Sequence, residues 1–400
     1  VPGIDDTGSA TRPRAAMLAY SAQAGARGDE AGEEATMSRT TARALVLESP
    51  RHTSVRELPM PDIGDDDALL RVEACGLCGT DHEVWSGAIV KRTPLIPGHE
   101  AVGIIERIGP RAAEKWGVQQ GDRVGVAPRQ ACGSCARCAA GDRRGCERHK
   151  GDTYGSIPLD VAPGLWGGYA EVQYLSPDSQ LVKVPAHLDA SLAVMYNAVA
   201  NGIRWGVVVP GTRPGDVVAV LGPGVRGLSA LAAAREAGAR FVMVTGFGPR
   251  DAPRLELARR FGADLVVDVA VTDPVAALRE AAGALADVVV DVTAMAPSAF
   301  VNAIDLATDG GTVCVAGIHG HAGIPNFQPD PIVVKELRIL GTRGTDRAEF
   351  EKAVELLATN RYPFAEIPRR TAGLEELPEL LAVMAGEGTQ APPPFAALVP

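Results

Sequence analysis

The stretch DVVAVLGPGVRGLSALAAAREAGA, residues 216–239, decides the architecture. Its apolar run from Val217 to Leu221 is rich in valine and too short for a helix, so it reads as a buried strand. A glycine-rich turn follows, and then an Ala- and Leu-rich run that predicts a helix. The turn has the spacing G-x-G-x-x-G at Gly222, Gly224 and Gly227. Between a strand and a helix this spacing is the fingerprint of a dinucleotide-binding turn. Gly222 permits the tight turn, Gly224 lets the backbone approach a pyrophosphate, and Gly227 allows close helix packing. Val225 begins the helix, whose N-terminus faces the phosphates.

On the C-terminal side the texture repeats. RFVMVTG (240–246), RLELARRFGA (254–263), DLVVDVA (264–270), ALADVVVDVTA (284–294), GGTVCVAG (310–317) and LRILGTRG (337–344) alternate Val-rich with helical runs. Strands alternating with helices imply βαβ units and a parallel sheet. A site built for NAD places Asp or Glu after the second strand, on the ribose hydroxyls. Here that strand ends Thr245, Gly246, and Arg250 and Arg254 follow. Those arginines offer charge to a 2′-phosphate or simply begin a solvated helix, so NAD and NADP both stay open. The helix-like EFEKAVELLATN (349–360) and the ending PFAALVP (394–400) come last, and periodicity does not place the ending.

On the N-terminal side, short β-rich runs are separated by Gly, Pro and Asp: ARALVLES (42–49), DALLRVEACG (67–76), AVGIIERIG (101–109), DRVGVAP (122–128), GGYAEVQYL (167–175) and LVKVP (181–185). That spacing predicts an all-β or barrel-like domain. A chain of 400 residues has room for two domains at roughly 100 to 200 residues each. Its 46% apolar and 22% charged residues are the balance of a globular protein. No apolar run approaches the roughly 20 residues of a membrane span, so no membrane partner is expected. A net charge of -10 opposes attraction to nucleic acid. Residues 1–36 are rich in Gly, Ala, Ser and acidic side chains without periodicity and read as a disordered leader. A plausible start lies at Met37, so the leader is also readable as translated upstream sequence.

Six of the seven cysteines fall between Cys75 and Cys146. Such clustering points to metal binding in a reducing compartment, and without an export leader the expected location is the cytoplasm. Cys132, Cys135, Cys138 and Cys146 follow C-x2-C-x2-C-x7-C. Four thiolates so close together can wrap one tetrahedral Zn²⁺ with no open position, a structural site. Redox-active cysteines and an iron-sulfur cluster are the alternatives. Cys78, in CGLCGTD (75–81), and His99, in PGHEAVG (97–103), suggest a second site. One Cys and one His from separate loops leave coordination positions free for a substrate oxygen.

These motifs, with GHEAVGIIERIG (98–109), GGYAE (167–171) and the glycine turn, resemble the medium-chain zinc-dependent alcohol dehydrogenase family, including its polyol and glucose dehydrogenase branches. The resemblance covers residues 41–400. It implies an α/β protein, a Rossmann doubly wound parallel sheet plus a partly β, GroES-like catalytic domain. The division it implies is 37–197 with 344–400 as the catalytic domain and 198–343 as the dinucleotide-binding domain. By position, Cys78 and His99 resemble catalytic zinc ligands and Glu100 an acidic neighbour able to join the metal. Asp81 resembles the carboxylate that orients His99, and Thr80 the hydroxyl that contacts the substrate oxygen. Two departures stand out. Asn197, in SLAVMYNAVANG (191–202), occupies the place of a third ligand, and Glu83 with His82 replaces the usual relay histidine. The resemblance further implies two Zn²⁺, one catalytic and one structural, NAD or NADP, and a small alcohol, polyol, aldehyde or ketone substrate. It also implies a homodimer or homotetramer. Two rivals are a same-fold NAD(P)H reductase without catalytic zinc and a non-catalytic NAD(P)-binding zinc protein.

Overall fold

The computed structural model describes residues 39–319, 323–324, 327–387 and 389–400, so the reading of residues 1–36 as a leader lies outside the described residues. Among these, six parallel strands form one sheet: Val217–Leu221, Phe241–Gly246, Leu265–Asp268, Ala286–Asp291, Ala307–Val315 and Arg338–Gly341. Counted along the chain, their spatial order is 3-2-1-4-5-6. This is the doubly wound order, in which the first and fourth strands lie side by side and their connections leave in opposite directions. A crevice therefore opens beyond Leu221 and Asp291, which pair in register.

Val217–Leu221 is buried at every position because both faces of the sheet are covered. Val218 and Val220 pack with Leu228 and Leu231 of the helix Val225–Glu236, while Val217, Ala219 and Leu221 pack with Leu278 and Leu306 on the other side. Alternation along the strand thus feeds two cores. Each fully buried Val or Leu contributes about 1.5 to 3 kcal/mol of transfer free energy.

The second sheet is mainly antiparallel. Its order is Arg369–Ala372, Phe395–Leu398, Ala68–Gly76, Ala101–Ile108, Arg123–Val126 and Leu181–Lys183, with Val172–Leu175 also paired to Ala68–Gly76. Thr41–Ser49 and His52–Pro59 form a separate hairpin. The ending that periodicity left unplaced is the strand Phe395–Leu398, which joins the sheet by pairing Ala397 with Gly76 and Leu398 with Cys75. The wholly buried helix Tyr196–Ile203 packs on Val225–Glu236. Their approach is so close that a Cβ at Gly202 would lie 2.3 Å from Ser229 Cβ. Among the described residues, no helix is long and apolar enough to cross a membrane.

Candidate active site

The strand Ala68–Gly76 delivers the chain to Cys78, where the helix Gly79–Ser86 begins. Asp81 lies in the first turn of that helix, and its Oδ2 accepts the Cys78 backbone N–H at 2.8 Å. Its Oδ1 faces His99 Nδ1 at 3.2 Å. A carboxylate only accepts, so Nδ1 carries the proton and Nε2 keeps its lone pair. One buried aspartate therefore fixes both the helix start at Cys78 and the imidazole orientation. The turn before His99 needs glycine: Gly98 has φ +87°, and a Cβ there would meet the Tyr169 ring at 2.4 Å.

Cys78 Sγ, a His99 ring nitrogen and a Glu100 carboxylate oxygen lie within 4.8 Å of one another. Glu100 is 1% exposed, a placement a carboxylate tolerates only with partners. Asn197 Nδ2 donates to Glu100 Oε1 at 2.6 Å, and His99 Nε2 is 3.8 Å from the same oxygen. Asn197 thus turns its amide N–H to the carboxylate and anchors Glu100. Gly76 leaves space for that carboxylate, since a Cβ there would stand 2.7 Å from Glu100 Oε2.

Sequence reasoning gave Arg226 no role. It occupies a variable position of the glycine fingerprint, and the motif says nothing about where such a side chain points. Its Nη2 donates to Cys78 Sγ at 3.3 Å and lies 3.8 Å from Glu100 Oε1. This contact puts the start of the helix after the glycine turn beside the Cys78 cluster. Burial alone would raise the Cys78 thiol, but Arg226 and His99 together hold it below its ordinary value. Burial would lower the His99 imidazole, and Asp81 and Cys78 hold it well above its usual range.

Thr80 Oγ1 lies 3.7 Å from Cys78 Sγ, at the exposed edge of the cluster. His82 packs beside Trp85 with ring centroids 5.8 Å apart, and its Nε2 faces Glu387 at 3.5 Å. Glu83 is partly exposed on the same helix.

The glycine turn is shaped as a cradle. Gly222 has φ +106°, a Cβ at Gly227 would lie 1.9 Å from the Gly222 carbonyl oxygen, and a Cβ at Gly224 would meet nothing within 4 Å. Open space at the middle glycine, above a closed turn, suits the approach of a pyrophosphate. Val225 begins the helix, with its side chain buried. Across the crevice, Thr245 and Gly246 end their strand buried. Carboxylates are present nearby but committed: Asp251 Oδ2 accepts from Phe247 N at 3.0 Å and Asp268 Oδ1 from Gly248 N at 2.8 Å. Arg254, one of the two candidate phosphate partners, is also committed, donating to Asp251 at 3.1 Å. Arg250 remains with its side chain 72% exposed.

The four sulfurs of Cys132, Cys135, Cys138 and Cys146 also lie within 4.8 Å of one another. Backbone N–H groups turn inward, from Cys135 to Cys132 Sγ at 3.4 Å, from Cys132 to Cys146 Sγ at 3.4 Å and from Glu147 to Cys135 Sγ at 3.5 Å. Hydrogen bonds from the Ser134 and Cys135 amides bring the Cys132 thiol down to about 6, whereas burial pushes Cys138 up to about 12. Four soft donors with inward amides suit Zn²⁺. The Cys78, His99 and Glu100 set, with mixed donors and fewer ligands, suits a cation that keeps positions free.

Comparison with known proteins agrees with this geometry. The family model described as "Alcohol dehydrogenase GroES-like domain" matches residues 64–186, and that described as "Zinc-binding dehydrogenase" matches 226–359. The chain is 59% identical over 360 residues to a probable alcohol dehydrogenase of Mycobacterium tuberculosis, covering 90% of this chain and 98% of that one. It is 32% identical to an alcohol dehydrogenase of Geobacillus stearothermophilus, over 80% of this chain and 89% of that one. Among solved structures it is similar to a protein of Sinorhizobium meliloti assigned as a zinc-binding dehydrogenase and bound to NADP. The two share a TM-score of 0.77 and 29% identity, over 90% of this chain and all of that one.

Proposed function

The chain belongs to the medium-chain zinc-dependent alcohol dehydrogenase family, with a Rossmann-type sheet and a GroES-like part, and from that premise we propose which residues run its chemistry. The reaction is transfer of a hydride between the carbon of a small alcohol or polyol and NADP. What supports it is the convergence of Cys78, His99 and Glu100 beside the helix that leaves the glycine turn, linked by the 3.3 Å contact from Arg226 to Cys78.

Cys78, His99 and Glu100 would hold one zinc ion, and Cys132, Cys135, Cys138 and Cys146 a second, structural one. When bound, the first zinc supplies Lewis acidity that eases loss of the alcohol proton, and the nicotinamide takes the hydride. The protein does the rest. Asp81 holds the His99 ring so that Nε2 faces the cluster. Thr80, at the cluster's exposed edge, is placed to accept the substrate hydroxyl proton, with His82 or Glu83 on the same helix to pass it to solvent. Asn197 restrains Glu100 without adding negative charge. Gly222, Gly224, Val225 and Gly227 cradle the pyrophosphate, Thr245 and Gly246 border the adenosine ribose, and Arg250 meets the 2′-phosphate that distinguishes NADP. In this reading 37–197 with 344–400 form the catalytic part and 198–343 the dinucleotide part, and the substrate lies in the crevice between them.

The test is a count of bound zinc together with nicotinamide absorbance across a panel of primary and secondary alcohols, polyols and aldehydes. Two zinc ions per chain and turnover that is lost on chelation and restored by added zinc are expected. A doubly loaded chain that produces no absorbance change with any member of the panel defeats the proposal.

A further inference from the structure

Arg226 is the cation nearest to the proposed metal ligands among the described residues. It projects from the first turn of the helix Val225–Glu236, and Nη2 reaches two of the three donor groups, Cys78 Sγ at 3.3 Å and Glu100 Oε1 at 3.8 Å. Its Nε is buried without a hydrogen-bond partner among the described residues, so the guanidinium is held by those two anionic groups and little else. A second seat is close by, because Cζ lies 5.9 Å from the centroid of the Trp205 ring, within cation–π range.

A divalent cation bound by Cys78 and Glu100 would face this guanidinium at close range in a poorly solvated site. There the repulsion between like charges is only weakly screened. A lysine could relieve it by losing its proton, but an arginine stays charged and has to move. We propose that Arg226 competes with the metal ion for Cys78 and Glu100, so that loading the site requires the guanidinium to withdraw toward Trp205. The inference rests on the assignment of Cys78, His99 and Glu100 as a metal site. It adds that the metal affinity of the site is set by a residue of the dinucleotide turn that is not itself a ligand.

The experiment is a zinc titration of the full chain against a chromophoric chelator, comparing the unaltered protein with Arg226→Gln, Arg226→Met and Arg226→Lys. The four-cysteine lobe is the internal control: a first binding step unchanged in every variant reports a folded chain. The second step is expected to be at least about tenfold tighter in the two neutral variants, or to be present in them alone, while Arg226→Lys stays near the unaltered protein. A second step equal or weaker in the neutral variants overturns the competition and leaves the metal-site assignment standing. A single zinc ion in all four proteins overturns both.

Discussion

The two thiol clusters are built on opposite plans. Cys132, Cys135, Cys138 and Cys146 come from one short run of chain, and their partners are amides of that same run. Cys78, His99 and Glu100 come from two separate segments, and Asn197 and Arg226 approach from two more elements. The first set uses one donor type and closes on itself; the second mixes sulfur, nitrogen and oxygen and stays open on one side. Local spacing suffices for a site that stabilises, whereas a site that reacts is assembled by the fold, where residues distant in sequence can tune it.

Separating the two sites by mutation is the strongest way to break this comparison. Cys78→Ser should lower turnover by roughly 10³-fold, since several kcal/mol of charge stabilisation go with the metal. It should leave one zinc ion bound and melting nearly unchanged. Cys138→Ser should do the reverse. Loss of the lobe ion removes binding free energy that is also folding free energy, so melting should fall by roughly 5 °C or more. Turnover per folded chain should stay within a few-fold. Steady-state rates, metal content and thermal melts on both variants decide it, and equal loss of activity in the two would erase the distinction.

The legibility of the sequence divides along the same line. The strand–turn–helix of residues 216–239 carries its whole pattern locally, and the structure has Val217–Leu221 and Val225–Glu236 there. His52–Pro59 was not legible, because HTSVRELP has no alternation and most of the strand is exposed or half-buried. Phe395–Leu398 was invisible as a sheet member, because its pairing with Ala68–Gly76 spans most of the chain. At the site, Cys78, His99 and Glu100 were found through their motifs. Arg226 was not, although it lies inside the best-read motif of all, because the fingerprint constrains the glycines and leaves the side chain between them free. Asn197 was singled out as an odd residue in a ligand's place, and only its 2.6 Å bond to Glu100 assigns it a partner.

A smaller effect tests whether orientation in the open site depends on one carboxylate. Asp81 holds both the Cys78 amide and the His99 ring, while the amides of the lobe need no such side chain. Asp81→Asn should weaken metal retention at the Cys78 site, or turnover, by about 10- to 100-fold, as loss of a partner behind a metal-binding histidine does. The matched lobe change, Ser134→Ala, removes only a 3.7 Å contact to Cys132 Sγ and should leave zinc retention there unaltered. Chelator competition measures both, and a lobe as sensitive as the open site would remove the contrast.

The smallest expected effect concerns the cofactor, where spacing and fold again part. Arg250 and Arg254 are equally eligible by spacing, four residues apart after the second strand of the parallel sheet. The fold commits Arg254 to Asp251 and leaves Arg250 exposed. If Arg250 meets the 2′-phosphate, Arg250→Ala should raise KM for NADP and leave KM for NAD unmoved. A charge-assisted hydrogen bond screened by solvent predicts a change of roughly three- to tenfold. Arg254→Ala should leave the NADP-to-NAD ratio near its original value, since the partner it loses is Asp251. Parallel KM measurements with both cofactors separate the two arginines. A ratio that shifts with Arg254 and not with Arg250 would mean that the committed side chain releases Asp251 to reach the cofactor, and the fold would then have been as poor a guide as the spacing.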